Sequence, residues 1–525
     1  MDSPPPTDHD AAARRLLHPH VWIALLILAT LFARAGVLDT PIGRVRATLT
    51  AMITRNLSRD LAEIGPRALL YPRVDYAGDQ PGYLLQEFPL VNLAGVALEK
   101  AFDLAWEPAY RLPSLLCFAV MLGYLFAFAR RRFGTPEALA ACSLAAWYPL
   151  SVYASVEVMP EQGVAAAFAA GLFHFDRYLD RSGAVPVAPG ARRELVLATL
   201  AFALMLLVKS TSGLLFLLPA GLYLERRGTL RGLFAPRHLV AAGLCALPLV
   251  LWLLHATPVN RASRVDDGRT MAELIDNYLS QKERWAQLGK AKTYAGMWNM
   301  LVGAWGQAGI GLALAGLVLA LLGRVRGRGL LLGGLLSLLV FMVLLPFNTA
   351  THWYYTHGYV ALFALAGAGA LGWLARGLVT LVPARLAGPA RVVAAGAALL
   401  WVLQASWDYA PPYEKERHEL GQVLQGCLEP RALGILASED TGPWDGETLW
   451  AGDVRGWRAS TRKGLSRRPL SEAFVEERRQ LGARFLAHQG PPAVLEERLP
   501  GWAARQAAAG RQLVHTPRWQ VFALE

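Results

Sequence analysis

The chain has 525 residues, of which 54% are hydrophobic and only 18% charged, whereas about 25% of the residues of an ordinary soluble protein are charged. This composition excludes a purely soluble protein and predicts a polytopic membrane protein with some soluble mass attached. The formal net charge of +12 does not indicate a nucleic-acid partner, because the arginines lie in short runs between apolar segments, as the positive-inside rule describes. Of the four cysteines, only Cys427 lies outside the apolar segments, which excludes a disulfide framework.

Apolar runs close to the length that crosses a bilayer predict about eleven transmembrane helices. The first run, residues 21–35, follows a polar and basic amino terminus, and no small-residue cleavage site comes after it. We therefore expect an uncleaved first span that starts in the cytoplasm. The later runs are 112–129, 138–154, 162–175, 195–208, 213–224, 240–254, 301–322, 330–345, 360–374 and 392–405. Every arginine-rich turn then lies on one side, and the odd count places the carboxyl tail opposite the amino terminus.

Three further segments are predicted to lie outside the hydrocarbon. Residues 90–102 are too few to cross and predict a juxtamembrane helix along the outer interface, and residues 272–288 have the pattern of an interfacial amphipathic helix. The tail combines a short apolar strand at 432–437 with a charged helical stretch near 470–486, which is typical of a small α/β domain. We expect a transmembrane domain at 1–408, with its first extracytoplasmic loop at 39–109, and an exported α/β domain at 409–525.

The loop at 71–90, YPRVDYAGDQPGYLLQEFPL, is the polar stretch around which we expect a site to form. It contains Asp75, Asp79 and Glu87 and several prolines, glycines and aromatic residues, yet it lies between apolar spans. Charge and unpaired backbone are costly in hydrocarbon. The loop is therefore predicted to be the floor of an active site that faces the far side of the membrane.

Short motifs accompany this loop along the chain. They are RATLTAMITRNL at 46–57, RLPSLL at 111–116, VMPEQ at 158–162, LVKSTSG at 207–213, THWYYTHGY at 351–359 and SEDTGPWDGETLWAGDVRGW at 438–457. With these motifs the chain resembles the bacterial GT-C glycosyltransferases related to protein O-mannosyltransferases and to the lipid A aminoarabinose transferase. The resemblance covers nearly the whole chain. Each motif is short, so the specificity comes from their order and their shared side of the membrane.

The resemblance implies a multi-pass enzyme of the bacterial inner membrane with an all-α GT-C membrane domain. It implies transfer of one sugar from a polyprenyl phosphate, such as undecaprenyl phosphate, to an acceptor outside the cytoplasm, which is a glycolipid, a cell-wall glycan or a protein. A carboxylate would deprotonate the acceptor hydroxyl and cations would stabilise the departing phosphate, so that the transfer inverts the anomeric carbon. No cofactor is required, and a divalent cation stays an open alternative.

Carboxylates, cations and aromatic residues of these segments supply a candidate for each role. The candidate catalytic residues are Asp39, Asp75, Glu87 and Glu161, the candidate ligands of the donor phosphate are Arg46, Arg55 and Lys209, the candidate substrate contacts are Tyr83, His352, Tyr354 and Tyr355, and the candidate metal ligands are Glu87 and His352. Structural roles stay open beside these: Glu87 as a helix cap, Asp75 as a turn residue and Lys209 as a side chain that snorkels to the interface. Arg46 and Arg55 are nine residues apart, about two and a half helical turns, so we expect them to share only roughly one face.

The motif at 46–57 departs from the family pattern. Relatives often carry an acidic residue in this helix as the base, whereas residues 44–49 of this chain contain none and Asp39 is the nearest acid. The identity of the base therefore stays open, with Asp75 and Asp39 as candidates for the role. An oligosaccharide ligase with a diphosphate donor, a non-catalytic scaffold and a lipid or solute transporter are the alternatives. A transporter is disfavoured because the chain has no evident internal repeat.

Overall fold

The computed structural model describes residues 19–43, 45–75, 78, 82–182, 190–266, 269–270, 286–381, 393, 396–397, 400, 415–438, 446–461 and 469–524. A helical body extends to residue 381, and a sheet domain follows from residue 415. The polar amino terminus, the amphipathic helix expected at 272–288 and the last span expected at 392–405 lie wholly or largely outside the described residues.

The bounds of the helices in the first body follow the apolar runs. In chain order the helices are α1 (Pro19–Ala35), α2 (Val45–Ile64), α3 (Leu90–Phe102), α4 (Trp106–Arg132), α5 (Thr135–Trp147), α6 (Pro149–Val156), α7 (Glu161–Ser182), α8 (Ala191–Val208), α9 (Leu217–Arg227), α10 (Pro236–Ala262), α11 (Ala291–Leu321), α12 (Arg328–Leu344), α13 (Pro346–Thr351) and α14 (Val360–Leu381). Short 3-10 helices lie at Gly65–Leu70, Ser210–Phe216, Arg231–Phe234 and Trp353–Tyr359. A small antiparallel pair, β1 (Arg264–Asp266) and β2 (Arg269–Thr270), follows α10.

Several of these helices can span a membrane. Among the described residues, four helical segments are long and apolar enough to cross, namely α4, α10, α11 and the segment Trp353–Leu378, and a fifth arises if α5 and α6, bent by 65°, form one broken span. The chain is a multi-pass membrane protein, and each predicted span within the described residues coincides with helical structure. The expected count of about eleven spans is not confirmed.

Three of the predicted spans are not single straight helices, and one of them, 301–322, contains Gly306 at φ 69° and ψ 154° inside α11. In the run 138–154, Pro149 lacks a backbone N–H and disfavours helical backbone at the residue before it, and Tyr148 accordingly has ψ 135°. The run 213–224 begins inside the 3-10 helix Ser210–Phe216 rather than in α9. The residue before this 3-10 helix, Lys209, is extended at φ −158° and ψ 108°. The helix α8 therefore ends at Val208, and Lys209 lies outside it in extended backbone.

The helices α2 and α3 pack against each other beside the bundle. Asn92 Nδ2 of α3 donates to Thr50 O at 2.9 Å and to Thr54 Oγ1 at 2.8 Å. Leu57 and Val96 lie together in a small buried apolar cluster. The juxtamembrane helix predicted at 90–102 therefore has the predicted bounds and lies on the helix that carries the RATLT motif.

The second body is a mixed five-stranded sheet with helices on both faces. Its strands are β3 (Leu433–Ser438), β4 (Arg455–Ser460), β5 (Phe485–Gln489), β6 (Gln512–His515) and β7 (Trp519–Ala523), in the spatial order β4-β3-β5-β7-β6. Strand β3 is parallel to β4 and β5, and β7 is antiparallel to β5 and β6. Its helices are α15 (Lys415–Cys427), α16 (Glu447–Gly452), α17 (Glu472–Gln480), α18 (Pro492–Arg498) and α19 (Trp502–Ala508). The small α/β tail expected from the sequence is observed.

One face of this sheet packs on the helical body. Successive residues of a strand point to opposite faces, and Leu436 accordingly shares a buried cluster with Trp450 of α16 and Met52 of α2. Its neighbour Ile435 belongs instead to the cluster that contains Trp502 of α19. The carboxyl-terminal domain is thus in direct apolar contact with α2.

Candidate active site

Four charged residues from distant parts of the chain meet where α7 begins and α8 ends. Arg46 lies in the first turn of α2. Its Nη2 lies 2.5 Å from Glu87 Oε1, and its Nε lies 3.9 Å from Glu161 Oε1. Lys209 Nζ forms an ion pair with the same oxygen of Glu161. Arg46, Glu87, Glu161 and Lys209 are called the charge cluster below. They include two of the predicted phosphate ligands and two of the predicted catalytic carboxylates.

Local backbone geometry places each member. Pro160 comes immediately before Glu161, the first residue of α7, where a carboxylate interacts favourably with the helix dipole. Ser212 Oγ donates to the carbonyl oxygen of Lys209 at 2.6 Å and so fixes the turn that follows α8. Glu87 lies just ahead of α3, but no side chain caps that helix, whose N-cap residue is Pro89. Glu87 therefore contacts Arg46 rather than the end of the helix.

The charge cluster is electrically balanced and largely shielded from water. The side chain of Glu161 is 2% exposed, that of Lys209 9% and that of Glu87 22%. Burial disfavours the charged form of Arg46, but the carboxylates of Glu87 and Glu161 outweigh it and raise the pKa of Arg46. Charges at such depth persist when they are paired. Loss of any one member leaves an uncompensated charge in the cluster.

Aromatic rings from the THWYYTHGY motif cover the charge cluster. Lys209 Nζ lies 4.5 Å from the ring centroid of Tyr355 and 5.5 Å from that of Tyr354, within the range of cation–π attraction. His352 stacks on Tyr354 with 5.3 Å between ring centroids. Burial, and then the charges of Lys209 and Arg46, lower the pKa of His352, so its imidazole is neutral at neutral pH. All three predicted substrate contacts of this motif thus lie beside Lys209.

Two small clefts adjoin the charge cluster. The first is lined by charged and aromatic residues, among them Glu161, Lys209, Tyr354 and Tyr355, together with the apolar residues Val164, Leu215 and Phe341. The second is lined mainly by polar and proline residues, among them Arg46, Gln86, Glu87, Asn92 and Pro160. Each encloses about 20 Å³, which is room for about one water molecule.

Asp75 and Arg55 belong to a second, separate group of charges. Arg55 Nη2 lies 2.9 Å from Asp75 Oδ2, Arg55 Nη1 lies 3.3 Å from Asp453 Oδ1, and Arg59 Nη2 lies 2.6 Å from Asp453 Oδ2. Arg55, Arg59, Asp75 and Asp453 are called the interdomain cluster below. Two and a half helical turns place residues on opposite faces of a helix, so the expectation that Arg46 and Arg55 share roughly one face is wrong.

Asp39 and Tyr83 also lie apart from the charge cluster. Asp39 is exposed in the turn between α1 and α2, and Arg111 holds this turn by donating to Leu38 O at 3.0 Å. Tyr83 forms an isolated β-bridge with Arg73, and its ring centroid lies 5.5 Å from that of Tyr71. The structure therefore brings most of the predicted site residues together and leaves four elsewhere: Asp39, Arg55, Asp75 and Tyr83.

Several polar residues of the site were not predicted. Gln86 Oε1 accepts from Arg46 Nη1 at 3.2 Å, and behind Glu161 the buried pair Gln162 and His357 is joined by a 2.8 Å contact between Oε1 and Nε2. These residues lie inside the motifs or beside a predicted span, where a polar side chain is by default a candidate for a functional site. Their positions in the sequence could therefore have indicated them. Asp453 lies in the motif at 438–457, but its partners depend on docking of the carboxyl-terminal domain.

The residues that the structure describes contain no group of three His, Cys, Asp or Glu side chains suited to hold a metal ion. The metal-binding roles of Glu87 and His352 stay predictions. Arg46 and Lys209 are cations already at this position, and such groups can neutralise a phosphate through charge-assisted hydrogen bonds.

Comparison with known proteins relates part of the chain to a family of membrane enzymes. Residues 104–255 match the family model described as dolichyl-phosphate-mannose-protein mannosyltransferase. A comparison with curated protein sequences found no match. The matched region contains α4 to α9 and most of α10, and with them Glu161 and Lys209 of the charge cluster.

Solved structures match the chain over most of its length. ArnT from Cupriavidus metallidurans bound to undecaprenyl phosphate matches with a TM-score of 0.62 and 13% identity, covering 96% of this chain and 97% of that one. The Archaeoglobus fulgidus oligosaccharyltransferase in complex with Zn and sulfate matches with a TM-score of 0.59 and 12% identity, covering 89% of this chain and 68% of that one. Arabinofuranosyltransferase AftD from Mycobacteria matches with a TM-score of 0.52 and 14% identity, covering 96% of this chain and 41% of that one. The resemblance to the GT-C superfamily inferred from the loop motifs is confirmed, and the fold is the one these proteins share.

Proposed function

We propose that this chain, whose fold is that of the GT-C membrane glycosyltransferases, transfers a single sugar from a polyprenyl phosphate to an acceptor outside the cytoplasm. The observation that carries the proposal is the charge cluster, which places two cations and two carboxylates beside an aromatic pair and an apolar cleft. A lipid-linked sugar has a phosphate, a hydroxyl-rich ring and a hydrocarbon tail. Each of these parts has a chemically matching surface at this one position.

Lys209 is the proposed ligand of the donor phosphate. Its ammonium contacts Glu161 and the ring of Tyr355, and the same cleft is lined by the apolar side chains of Val164, Leu215 and Phe341. With its phosphate held by Lys209 and Arg46, the donor would place the start of its prenyl chain among these apolar side chains. The ArnT structure that shares this fold was solved with undecaprenyl phosphate bound, which supports this class of donor.

Glu87 is the proposed base. It is the more exposed carboxylate of the charge cluster, and it lies in the polar loop that is predicted to face the far side of the membrane. It would take the proton of the acceptor hydroxyl as that oxygen attacks the anomeric carbon. The bond from this carbon to the phosphate oxygen breaks, the configuration inverts, and the polyprenyl phosphate leaves with its negative charge stabilised by Lys209 and Arg46. No divalent cation is needed in this scheme.

Glu161 and Asp75 are assigned other roles. Glu161 is almost fully buried and holds both cations at a set distance. Asp75 is 3% exposed and accepts from Arg55 at 2.9 Å and from Asn56 Nδ2 at 3.0 Å, so it contacts protein donors rather than a substrate. The base that relatives carry on the helix after the first span is thus replaced, in this proposal, by the Glu-x-Pro loop.

The test is sugar transfer by the purified full chain in detergent, supplied with radiolabelled undecaprenyl-phosphate sugars and with membrane extract as the acceptor source. We expect loss of transfer in Glu87→Gln and in Lys209→Ala. Glu63→Gln and Lys292→Ala, which change exposed residues of the same types, serve as matched controls and should stay active. Full activity of Glu87→Gln would contradict the assignment of the base, and no consumption of any donor by the wild type would contradict the function.

A non-catalytic lipid-binding scaffold is the second candidate. It is favoured by one observation, that α2 contributes Arg46 rather than a carboxylate to the cluster. Such a protein would bind undecaprenyl phosphate through Lys209 without consuming a sugar donor. Lipid binding in the absence of transfer, lost in Lys209→Ala, is the result that distinguishes it.

A further inference from the structure

We propose that the carboxyl-terminal domain controls the geometry of the transfer site through the interdomain cluster, with Asp453 as a positioning residue for the loop that carries Glu87. The catalytic consequence rests on the function proposed above, whereas the structural link does not. Asp453 lies between β4 and α16 of the sheet domain, far along the chain from the loop. It lies in the motif at 438–457, which does not by itself indicate which charges Asp453 contacts.

The interdomain cluster is neutral and mostly buried, with the side chain of Arg59 24% exposed. It pairs two arginines of α2 with one carboxylate from the loop and one from the carboxyl-terminal domain. The side chains of Arg55 and Asp75 are 1% and 3% exposed, and that of Asp453 is 8% exposed. At such burial each charge depends on its partners, because an unpaired one is strongly destabilising. The cluster therefore holds only when the helix, the loop and the domain are all in place.

The contacts around Arg55 make it the centre of this junction. Its guanidinium lies 4.6 Å from the ring centroid of Trp450 and 5.3 Å from that of Trp106. Its Nη1 also donates to Trp450 O at 2.7 Å. A planar guanidinium can make these stacking and hydrogen-bonding contacts together, which an ammonium cannot. The domain is thus bound to α2 by contacts with a fixed direction.

The same domain holds the loop by its backbone. Gly456 N of β4 donates to Asp75 O at 3.0 Å, and Arg455 Nη2 donates to Gly78 O at 2.8 Å. Gly78 has φ +63°, and a Cβ at this position would overlap the indole ring of Trp457. The side chain of Trp457 therefore lies directly on the loop backbone, which leaves little room for the loop to shift.

From this point the loop leads to Glu87. Val74 N donates to Gly82 O at 2.9 Å and Leu84 N donates to Pro72 O at 2.8 Å, so the two arms of the loop are paired. Glu87 follows three residues after Leu84. Meanwhile α2 carries Arg55 on one face and Arg46, the partner of Glu87, on the other. A change at Asp453 can thus reach both sides of the Arg46–Glu87 pair.

Asp453→Asn is the variant of choice for the test. Asp453 has φ 48°, a left-handed conformation in which Asn and Asp are favoured over other side chains, so asparagine removes the charge without disturbing the backbone. Glu476→Gln is the matched control, because it removes a carboxylate of the same domain that pairs with Arg479 at 2.9 Å on the exposed surface. Asp75→Asn is the second variant, which loosens the loop while the Arg59–Asp453 pair remains.

The measurement is amide hydrogen exchange of the full chain in detergent, followed by transfer kinetics. We expect exchange in residues 72–84 to rise about tenfold in Asp453→Asn and in Asp75→Asn, as for local opening of a segment that has lost a buried partner. We expect kcat to fall about tenfold while KM for the lipid donor stays within about twofold, because the loop positions Glu87 rather than the lipid. Glu476→Gln should leave exchange and kinetics unchanged.

Unchanged exchange in residues 72–84 in both variants would overturn the proposal, whatever the activity. A rise in KM without a fall in kcat would overturn the positioning role as well. The exchange is measured without substrate, so failure of the wild type to transfer any sugar would contradict the proposed function while the structural link is still tested.

Discussion

Glu161→Gln is the substitution that most directly tests how the charge cluster works. Glutamine is close to isosteric with glutamate, so the shape of the cleft is kept while the one carboxylate shared by Lys209 and Arg46 disappears. Removing one partner of a buried ion pair costs about 3–5 kcal/mol. The 9% and 22% exposures of the Lys209 and Glu87 side chains let water reach the remaining charges, so we expect the lower value, about 3 kcal/mol of unfolding free energy.

The same substitution should strengthen binding of the lipid phosphate. In the wild type a phosphate must displace Glu161 from Lys209, whereas in Glu161→Gln the ammonium has no carboxylate to give up. A hydrogen bond to a charged group is worth about 1.5–3 kcal/mol. Recovery of the lower end of that range corresponds to about tenfold tighter binding. Sugar transfer should nevertheless fall, because Lys209 and Arg46 are no longer held at a set distance from the reacting atoms.

The assay is thermal unfolding of the full chain in detergent together with binding of undecaprenyl phosphate that carries no sugar. Glu63→Gln, on the exposed side of α2, is the control for a lost carboxylate. In Glu161→Gln combined with Lys209→Gln, part of the stability should return, because the two effects are coupled. A loss of stability accompanied by weaker or unchanged lipid binding would refute the reasoning, since Glu161 would then not compete with the phosphate.

The remaining predictions concern the loop, the aromatic rings and the metal requirement. Gly78→Ala should lower the unfolding temperature more than Gly65→Ala, because both residues have positive φ but only at Gly78 would a Cβ meet Trp457. This overpacking adds about 1–3 kcal/mol to the loss of stability. Equal shifts of the unfolding temperature in the two variants would contradict the packing of the loop against β4. Tyr355→Phe should keep the affinity for undecaprenyl phosphate, because the aromatic ring remains. Tyr355→Leu should weaken this affinity by about 0.5–2 kcal/mol, because the cation–π attraction to Lys209 is lost. Equal affinities of the two variants would show that the ring does not contribute to lipid binding. Sugar transfer should persist after treatment with EDTA, since Lys209 and Arg46 already supply two cations for the phosphate. The measurement is the initial rate of transfer before and after Mg²⁺ is added. Complete loss of transfer that the metal restores would show that a divalent cation is required.

Much of the fold could be predicted from periodicity and composition. A run of apolar residues of membrane length must be helical because its backbone polar groups have no other partners in hydrocarbon, and the helices observed in residues 112–374 follow from that rule. The short helix at 90–102 and the alternation of strand and helix in the tail are equally local properties. The interruptions of helical structure at Tyr148 and Lys209 were harder to predict. Only Pro149 indicates the first, and no proline indicates the second.

The candidate site was predicted in part, and the division has a physical reason. Arg46, Glu87, Glu161 and Lys209 each stood out because an ionisable residue beside or within an apolar segment needs a partner. Their sequence neighbourhoods could not say which charges would pair. In the sequence, Arg55 and Arg46 were equal candidates for binding the phosphate. Two and a half helical turns separate them, so Arg55 lies on the opposite face of α2. There it contacts Asp453, which lies nearly four hundred residues later in the chain.

The membrane body, the polar loop, the kinds of charge in the site and the α/β character of the tail follow from the order of the residues alone. All of these depend on local spacing, on hydropathy or on motifs that recur in order. Three features became visible only in the folded chain: Glu161 bridges two cations, Asp75 is buried against Arg55, and the carboxyl-terminal domain lies on the loop before α3. Pairing of buried charges depends on which surfaces dock, and docking is set by the summed packing of segments that are remote in the chain.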